Sequence, residues 1–143
     1  MKDTLLPSQV LGNPKWYVID AKNQTLGRLS TRVASLLIGK NKTSYTQFLA
    51  VGDSIIIINA SQIKVSGKKE KQKLYKRHSG RPGGLKSESL EKLRDRKPER
   101  ILECSIKGML PKGPLGRQMY TKLKVYAGDT HPHQAQTPEL LNL

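Results

Sequence analysis

Trp16-Tyr17-Val18-Ile19-Asp20, then Leu26, Leu29, Val33, Leu36 and Leu37, then Ser54-Ile55-Ile56-Ile57-Ile58-Asn59: this succession decides the fold class. The first run is rich in β-formers and apolar on both sides, as in a strand covered from above and below. Asp20-Ala21-Lys22-Asn23-Gln24 reads as a turn, and Thr25 stands where a helix N-cap belongs. The following leucines and valine recur at helical spacing, and Gly39 can stop the helix in the left-handed conformation. Four consecutive isoleucines then form a second buried strand. Two strands apolar throughout, joined by a helix, imply a right-handed parallel crossover.

Further along the chain the pattern weakens. A third short strand is expected around Ile63-Lys64-Val65, and Lys73–His78 is strand-like. Ser87 is placed to cap a helix running through Arg96, with Leu90 and Leu93 inward. Pro98 suits the first turn of another helix, whose stripe is Ile101, Leu102, Ser105, Ile106 and Met109. After a Pro/Gly-rich loop, residues 108–116, a short helix carries Leu115, Met119 and Leu123, and Lys124-Val125-Tyr126 forms the last expected strand. The expected fold is α/β: a single three-layer domain with a mostly parallel sheet of about four strands, basic loops and extended termini. Residues 1–14 are expected to form a flexible arm, 15–127 the α/β domain that binds the partner, and 128–143 an extended tail.

Lys and Arg total 26 of the 143 residues against 11 Asp and Glu, a net charge of +15. Such an excess calls for a polyanionic partner. It is concentrated: residues 64–124 hold nineteen basic and six acidic groups, while residues 125–143 hold no basic and two acidic ones. The hydrophobic fraction of 36% supports a modest core, so part of the chain is expected to be ordered by its partner. A single cysteine, Cys104, excludes a disulfide framework within the chain. The longest aliphatic run, four isoleucines, is far too short to span a membrane. The N-terminal residues lack the pattern of a signal or transit peptide, so the protein is expected to work where it is made.

Tests for catalytic chemistry fail. The first crossover contains Gly27 alone and no G-x-G-x-x-G. Gly39-Lys40-Asn41 resembles part of a phosphate loop, but Asn41 stands where Ser or Thr should hold Mg²⁺, and Ala34 where the first glycine should be. His131 and His133 would need two further metal ligands, with only Cys104 and His78 as candidates, so they read as polar contacts of a surface tail. Cys104 reads as a small core residue beside its helix's apolar stripe, and Asp20 as a turn residue. No cofactor, metal or small-molecule substrate is expected.

The segment Gly67–Gly84 is different. Lys68, Lys69, Lys71, Lys73, Lys76, Arg77 and Arg81 oppose Glu70 alone. Tyr75 and His78 are interleaved, so stacking is available besides charge. Gly83, Gly84 and the other glycines let backbone approach phosphates closely. A solvated lysine loop would explain an isolated run. Set within so basic a stretch, with glycines at both ends, the segment points to RNA or DNA.

These residues also carry a resemblance. WYVIDAKNQTLGRLSTRVASLLIGKNK, GDSIIIINASQIKVSGKK, KLYKRHSGRPGGLK, PERILECSIKGMLPKGPLGRQMYTKLKVYAG and HPHQAQTPELL together resemble the universal large-subunit ribosomal protein family numbered thirteen in bacterial naming. The match runs from Trp16 to the C-terminus, and the RHSGRPGG loop resembles the cyanobacterial and plastid branch. The resemblance implies a non-enzymatic α/β protein that binds large-subunit rRNA beside neighbouring ribosomal proteins, not as a homo-oligomer, on a plastid or bacterial cytoplasmic ribosome. It implies RNA contacts at Lys68, Lys69, Tyr75, Lys76, Arg77, His78, Arg81, Gly83 and Gly84, then at Lys107, Lys112, Arg117, Lys122 and Lys124, with His131 and His133 in the tail. Two positions depart from the family pattern. Gln47-Phe48-Leu49 replaces a polar run, and Ile38 stands where Arg is frequent, so neither place is assigned a contact. The rival reading is a free-standing nucleic-acid-binding regulator using the same surface.

Overall fold

The computed structural model describes residues 14–141; most of the expected 1–14 arm therefore lies outside the described residues. Strand β1 (Trp16–Asp20) leads through helix α1 (Leu26–Ile38) to β2 (Ser54–Ile58). The two strands pair in parallel, Val18 beside Ile56 and Ile19 beside Ile57. A 3-10 turn (Ala60–Gln62), a one-turn helix α2 (Lys69–Gln72) and an antiparallel hairpin of β3 (Leu74–His78) and β4 (Leu85–Ser89) follow. Helices α3 (Leu90–Arg96), α4 (Glu99–Met109) and α5 (Pro114–Thr121) precede β5 (Leu123–Val125), and β6 (Glu139–Leu140) comes last. The main sheet has the order β5-β2-β1-β6, and all its neighbours run parallel.

Side-chain alternation divides the sheet. Ile19, Ile55, Ile57 and Leu123 belong to the main apolar cluster with Leu29, Val33 and Leu37 of α1, Ile101, Leu102 and Ile106 of α4, and Met119 of α5. Val18 and Ile56 are also buried but fall outside that cluster, on the opposite face. The returning tail covers that face: His133 packs 5.4 Å from the Trp16 ring and its Nε2 lies 2.8 Å from the Tyr126 hydroxyl. The four isoleucines are therefore apolar throughout because both faces of their strand are covered. Ile55, Ile56 and Ile57 are fully buried, each worth about 1.5–3 kcal/mol.

Gly39 ends α1 at φ +85°, and its N–H donates to the carbonyls of Ser35 and Leu36. Thr25 occupies the N-cap position without a side-chain cap bond; its backbone instead bridges Lys64. That single bridge is all that forms at Ile63–Val65, so the strand expected there is absent. A 3-10 turn just before it consumes the residues a longer strand would need. The cap expected at Ser87 falls two residues later. Ser89 Oγ accepts from Lys92 N–H, because residues 85–89 are drawn into pairing with β3. Helix α4 buries Ile101, Leu102 and Ile106 but leaves Met109 at its end exposed.

Candidate nucleic-acid interface

The hairpin is the projecting basic element. In antiparallel pairing Tyr75 faces Glu88 and Arg77 faces Lys86, so these four share one side, turned toward α3 and α4. Leu74, Lys76, His78 and Leu85 share the outer side, and all four are exposed. Its tip is shaped by glycine: Gly80 and Gly83 have φ +89° and +72°. Ser79 N–H donates to Gly84 O at 3.1 Å and Gly84 N–H to Arg81 O at 2.9 Å. A Cβ on Gly84 would lie 2.9 Å from the backbone oxygen of Arg81 and would also displace the Ser79 hydroxyl, so this corner closes most tightly around glycine. Gly80 N–H donates to His78 Nδ1 at 3.0 Å. In the neutral ring the proton then sits on Nε2, leaving a donor for an outside acceptor.

Ion pairs anchor the hairpin to its base. Arg96 holds Glu88 with two bonds, Nε to Oε1 at 3.1 Å and Nη2 to Oε2 at 2.6 Å. This hydrogen bonding, with the nearby charges of Arg96, Arg100 and Lys92, pulls the Glu88 carboxyl below its ordinary range. Arg94 ties α3 to α2 through Glu70 at 2.8 Å and donates to Ile63 O at 3.1 Å. Lys68 and Lys69 remain exposed at the start of α2.

The other residues named from sequence fall into different settings. Lys107, Lys112 and Arg117 are exposed around the corner between α4 and α5, with Lys107 Nζ 5.5 Å from the Tyr120 ring centre. Gly116 makes this corner tight: a Cβ there would sit 1.8 Å from Pro111 O. Lys124 is half-buried on the tail side of β5.

Four residues that the resemblance implies as RNA contacts are engaged within the protein. Lys122 Nζ donates to Ala50 O at 2.8 Å and Gly52 O at 2.7 Å, and burial pushes its ammonium below the ordinary lysine value. It clasps the loop before β2, which Lys42 grips from the other side through Val51 O and Asp53. Tyr75 is half-buried against the core, not a free stacking platform, and burial raises its hydroxyl's pKa. His133 is committed to Trp16 and Tyr126, and His131 Nδ1 accepts from His133 N–H at 3.2 Å. Cys104, read from sequence as a core residue, is exposed because it lies one position off the buried stripe. Sequence reasoning passed over Lys86 and Arg100, which line the inner side of the hairpin. The strand alternation that pairs Lys86 with Arg77 was the available signal. Among the described residues no group of three or more His, Cys, Asp and Glu is arranged to hold a metal ion.

Fold and charge together define a class: a small α/β domain with a parallel sheet and a projecting basic hairpin. A family model described as ribosomal protein L13 matches residues 14–132. Large ribosomal subunit protein uL13c of Porphyra purpurea is 60% identical over 139 residues, covering 97% of each chain. The uL13c of Pyropia yezoensis is 62% identical over 127 residues, 89% of each. The uL13 of a Cyanothece species is 57% identical across the whole of this chain and 96% of its own. The chain belongs to the ribosomal protein L13 family, a family of ribosomal structural proteins and not of enzymes.

Proposed function

We propose that this protein is a structural constituent of the large ribosomal subunit that binds large-subunit rRNA directly and supports early subunit assembly. Its place is the ribosome of a plastid or of a bacterial cytoplasm, the settings of its relatives. The observation that carries the reading is the hairpin. Lys76, Arg77, His78 and Arg81 are exposed beside a tip whose backbone turns at Gly80 and Gly83. No carboxylate pairs with Arg77 or Arg81 among the described residues. Arginine grips a phosphate with two parallel N–H bonds, and a glycine tip lets backbone lie against the strand. Contacts of this kind recognise RNA shape through phosphates and riboses.

Lys68 and Lys69 extend the surface along α2, with Gly83 and Gly84 supplying backbone at the tip. Lys107, Lys112 and Arg117 form a second contact region, and Lys124 a third beside the tail. Lys122, Tyr75, His131 and His133 serve by holding the loop, the hairpin base and the tail in place. Neighbouring ribosomal proteins complete the surroundings.

The test is Arg77→Ala with Arg81→Ala. Neither residue belongs to the apolar cluster, so the unfolding midpoint should be unchanged. At about 1.5–3 kcal/mol per charge-assisted bond, rRNA affinity should fall roughly a hundredfold or more, and incorporation into large-subunit precursors should fall with it. Parental affinity and assembly in the folded double variant would refute the reading. Co-sedimentation with large ribosomal particles separates it from a free-standing regulator.

A further inference from the structure

Beneath the hairpin lies a cleft of about 510 Å³ between its inner side and helices α3 and α4. Arg77 and Lys86 come from the hairpin, Arg96 and Arg100 from the helices, and Leu93, Tyr75 and Cys104 contribute apolar or weakly polar wall. The arrangement is costly for the protein alone. Arg77 and Lys86 are directly opposite in the antiparallel register. Like charges there stand roughly 4.5–5.5 Å apart at Cβ and repel. The one carboxylate lining the cleft, Glu88, is already clasped at both oxygens by Arg96. Arg77, Lys86 and Arg100 enter no ion pair among the described residues.

We propose that this cleft is a second RNA site, sharing only Arg77 with the hairpin tip, which seats one phosphodiester of an rRNA strand between Arg77, Lys86 and Arg100. It rests on the reading of the protein as an rRNA binder and adds the place where the strand passes under the hairpin. A phosphate there removes the Arg77–Lys86 repulsion and lets two guanidinium groups grip the same anion from opposite walls. The half-buried Tyr75 ring gives the ribose an apolar surface to lie against. The hairpin is then held from both sides: the tip grips RNA outside, and the strand beneath keeps the hairpin from collapsing onto α4.

Cys104 makes the cleft directly observable, because it is the chain's single cysteine, is exposed, and lines this cleft. The experiment measures alkylation of Cys104 by a maleimide in the full chain, alone and with saturating large-subunit rRNA fragment. Bound RNA should slow alkylation tenfold or more, while millimolar adenosine monophosphate or inorganic phosphate should not. Lys86→Gln with Arg100→Gln should abolish the protection and weaken rRNA binding. Loss of the one phosphate seated there should also flatten the log-log salt slope by roughly 0.7–0.9. Undiminished alkylation in the rRNA complex, with slope and affinity unchanged in the double variant, would overturn the proposal while leaving tip binding intact. Equal protection by the mononucleotide would overturn it in favour of a small-anion site. A wild-type chain that bound no rRNA would remove the underlying reading as well, a result visible in the same titration before any variant is made.

Discussion

The Tyr126 hydroxyl lies 2.8 Å from His133 Nε2, and this contact, with the Trp16 ring against the same imidazole, fastens the tail to the sheet. The family resemblance implied an RNA contact at His133. The geometry makes it a fastener first. Beyond it, Leu141 N–H donates to Val18 O at 2.8 Å. Tyr126→Phe should therefore leave the helical core unchanged and speed hydrogen exchange at Leu141. The loss of about one hydrogen bond predicts a local effect of roughly 0.5–1.5 kcal/mol. Unchanged exchange at Leu141 would show that the tail is held by other contacts.

Asp53 is buried at the start of β2, where Oδ1 accepts from Lys15 N–H at 3.1 Å and from the Lys42 ammonium. Removing the cation leaves a buried carboxylate with only the more distant Lys122 ammonium opposite it, whereas removing the carboxylate leaves a lysine that can turn toward water. Lys42→Met should therefore destabilise by about 3 kcal/mol, near the lower end for a broken buried pair because Lys42 is partly exposed. Asp53→Asn should cost less. Urea unfolding of both variants checks the order.

Two glycines predict opposite signs. A Cβ on Gly52 would stand 1.8 Å from Leu37 O, a backbone atom. Gly52→Ala must force the loop away from α1 and should lower stability by several kcal/mol, on the order of severe core overpacking. Gly27 lies in α1 with no heavy atom near its would-be Cβ. Gly27→Ala should stabilise by about 0.5–1 kcal/mol through helix propensity. Thermal melts in one buffer suffice.

The Glu88–Arg96 pair gives the hairpin an acid response. The folded-state pKa of Glu88 is depressed, so its contribution is present above the unfolded value, about 4.5, and is lost as pH falls through the folded one. Amide protection across β3 and β4 should weaken on acidification below about pH 4.5. In Arg96→Gln that step should vanish. A hairpin equally protected at both ends of this range would contradict the pairing.

Much of the fold could be read because burial on both faces writes a plain signal. Ile55, Ile56 and Ile57 leave no doubt of a covered strand, and Gly39 marks the end of α1 at its left-handed φ. What stayed hidden is held by backbone geometry or distant packing. Strand β6 is two residues long, and both side chains are exposed, so no apolar period announces it. Ser87 and Ser89 are equally good caps locally; the register of Tyr75 with Glu88 decides between them. The basic segment was legible as a candidate site because charge accumulates in sequence. That Tyr75 and Arg77 face inward with Lys86 depends on strand alternation across a turn whose length only the structure fixes.

The sheet order carries a consequence for synthesis. Strand β1 is made near the beginning and pairs on one side with β2, but its other neighbour, β6, is made nearly the whole chain later. Domains form from the N-terminal side as the chain emerges. A nascent chain can thus assemble β1, α1, β2 and the helices while the outer edge of β1 and its tail-side face still lie open. The tail closes both at once, so the protein acquires its finished surface in one late step. Until then, an exposed strand edge is a template for the wrong partner.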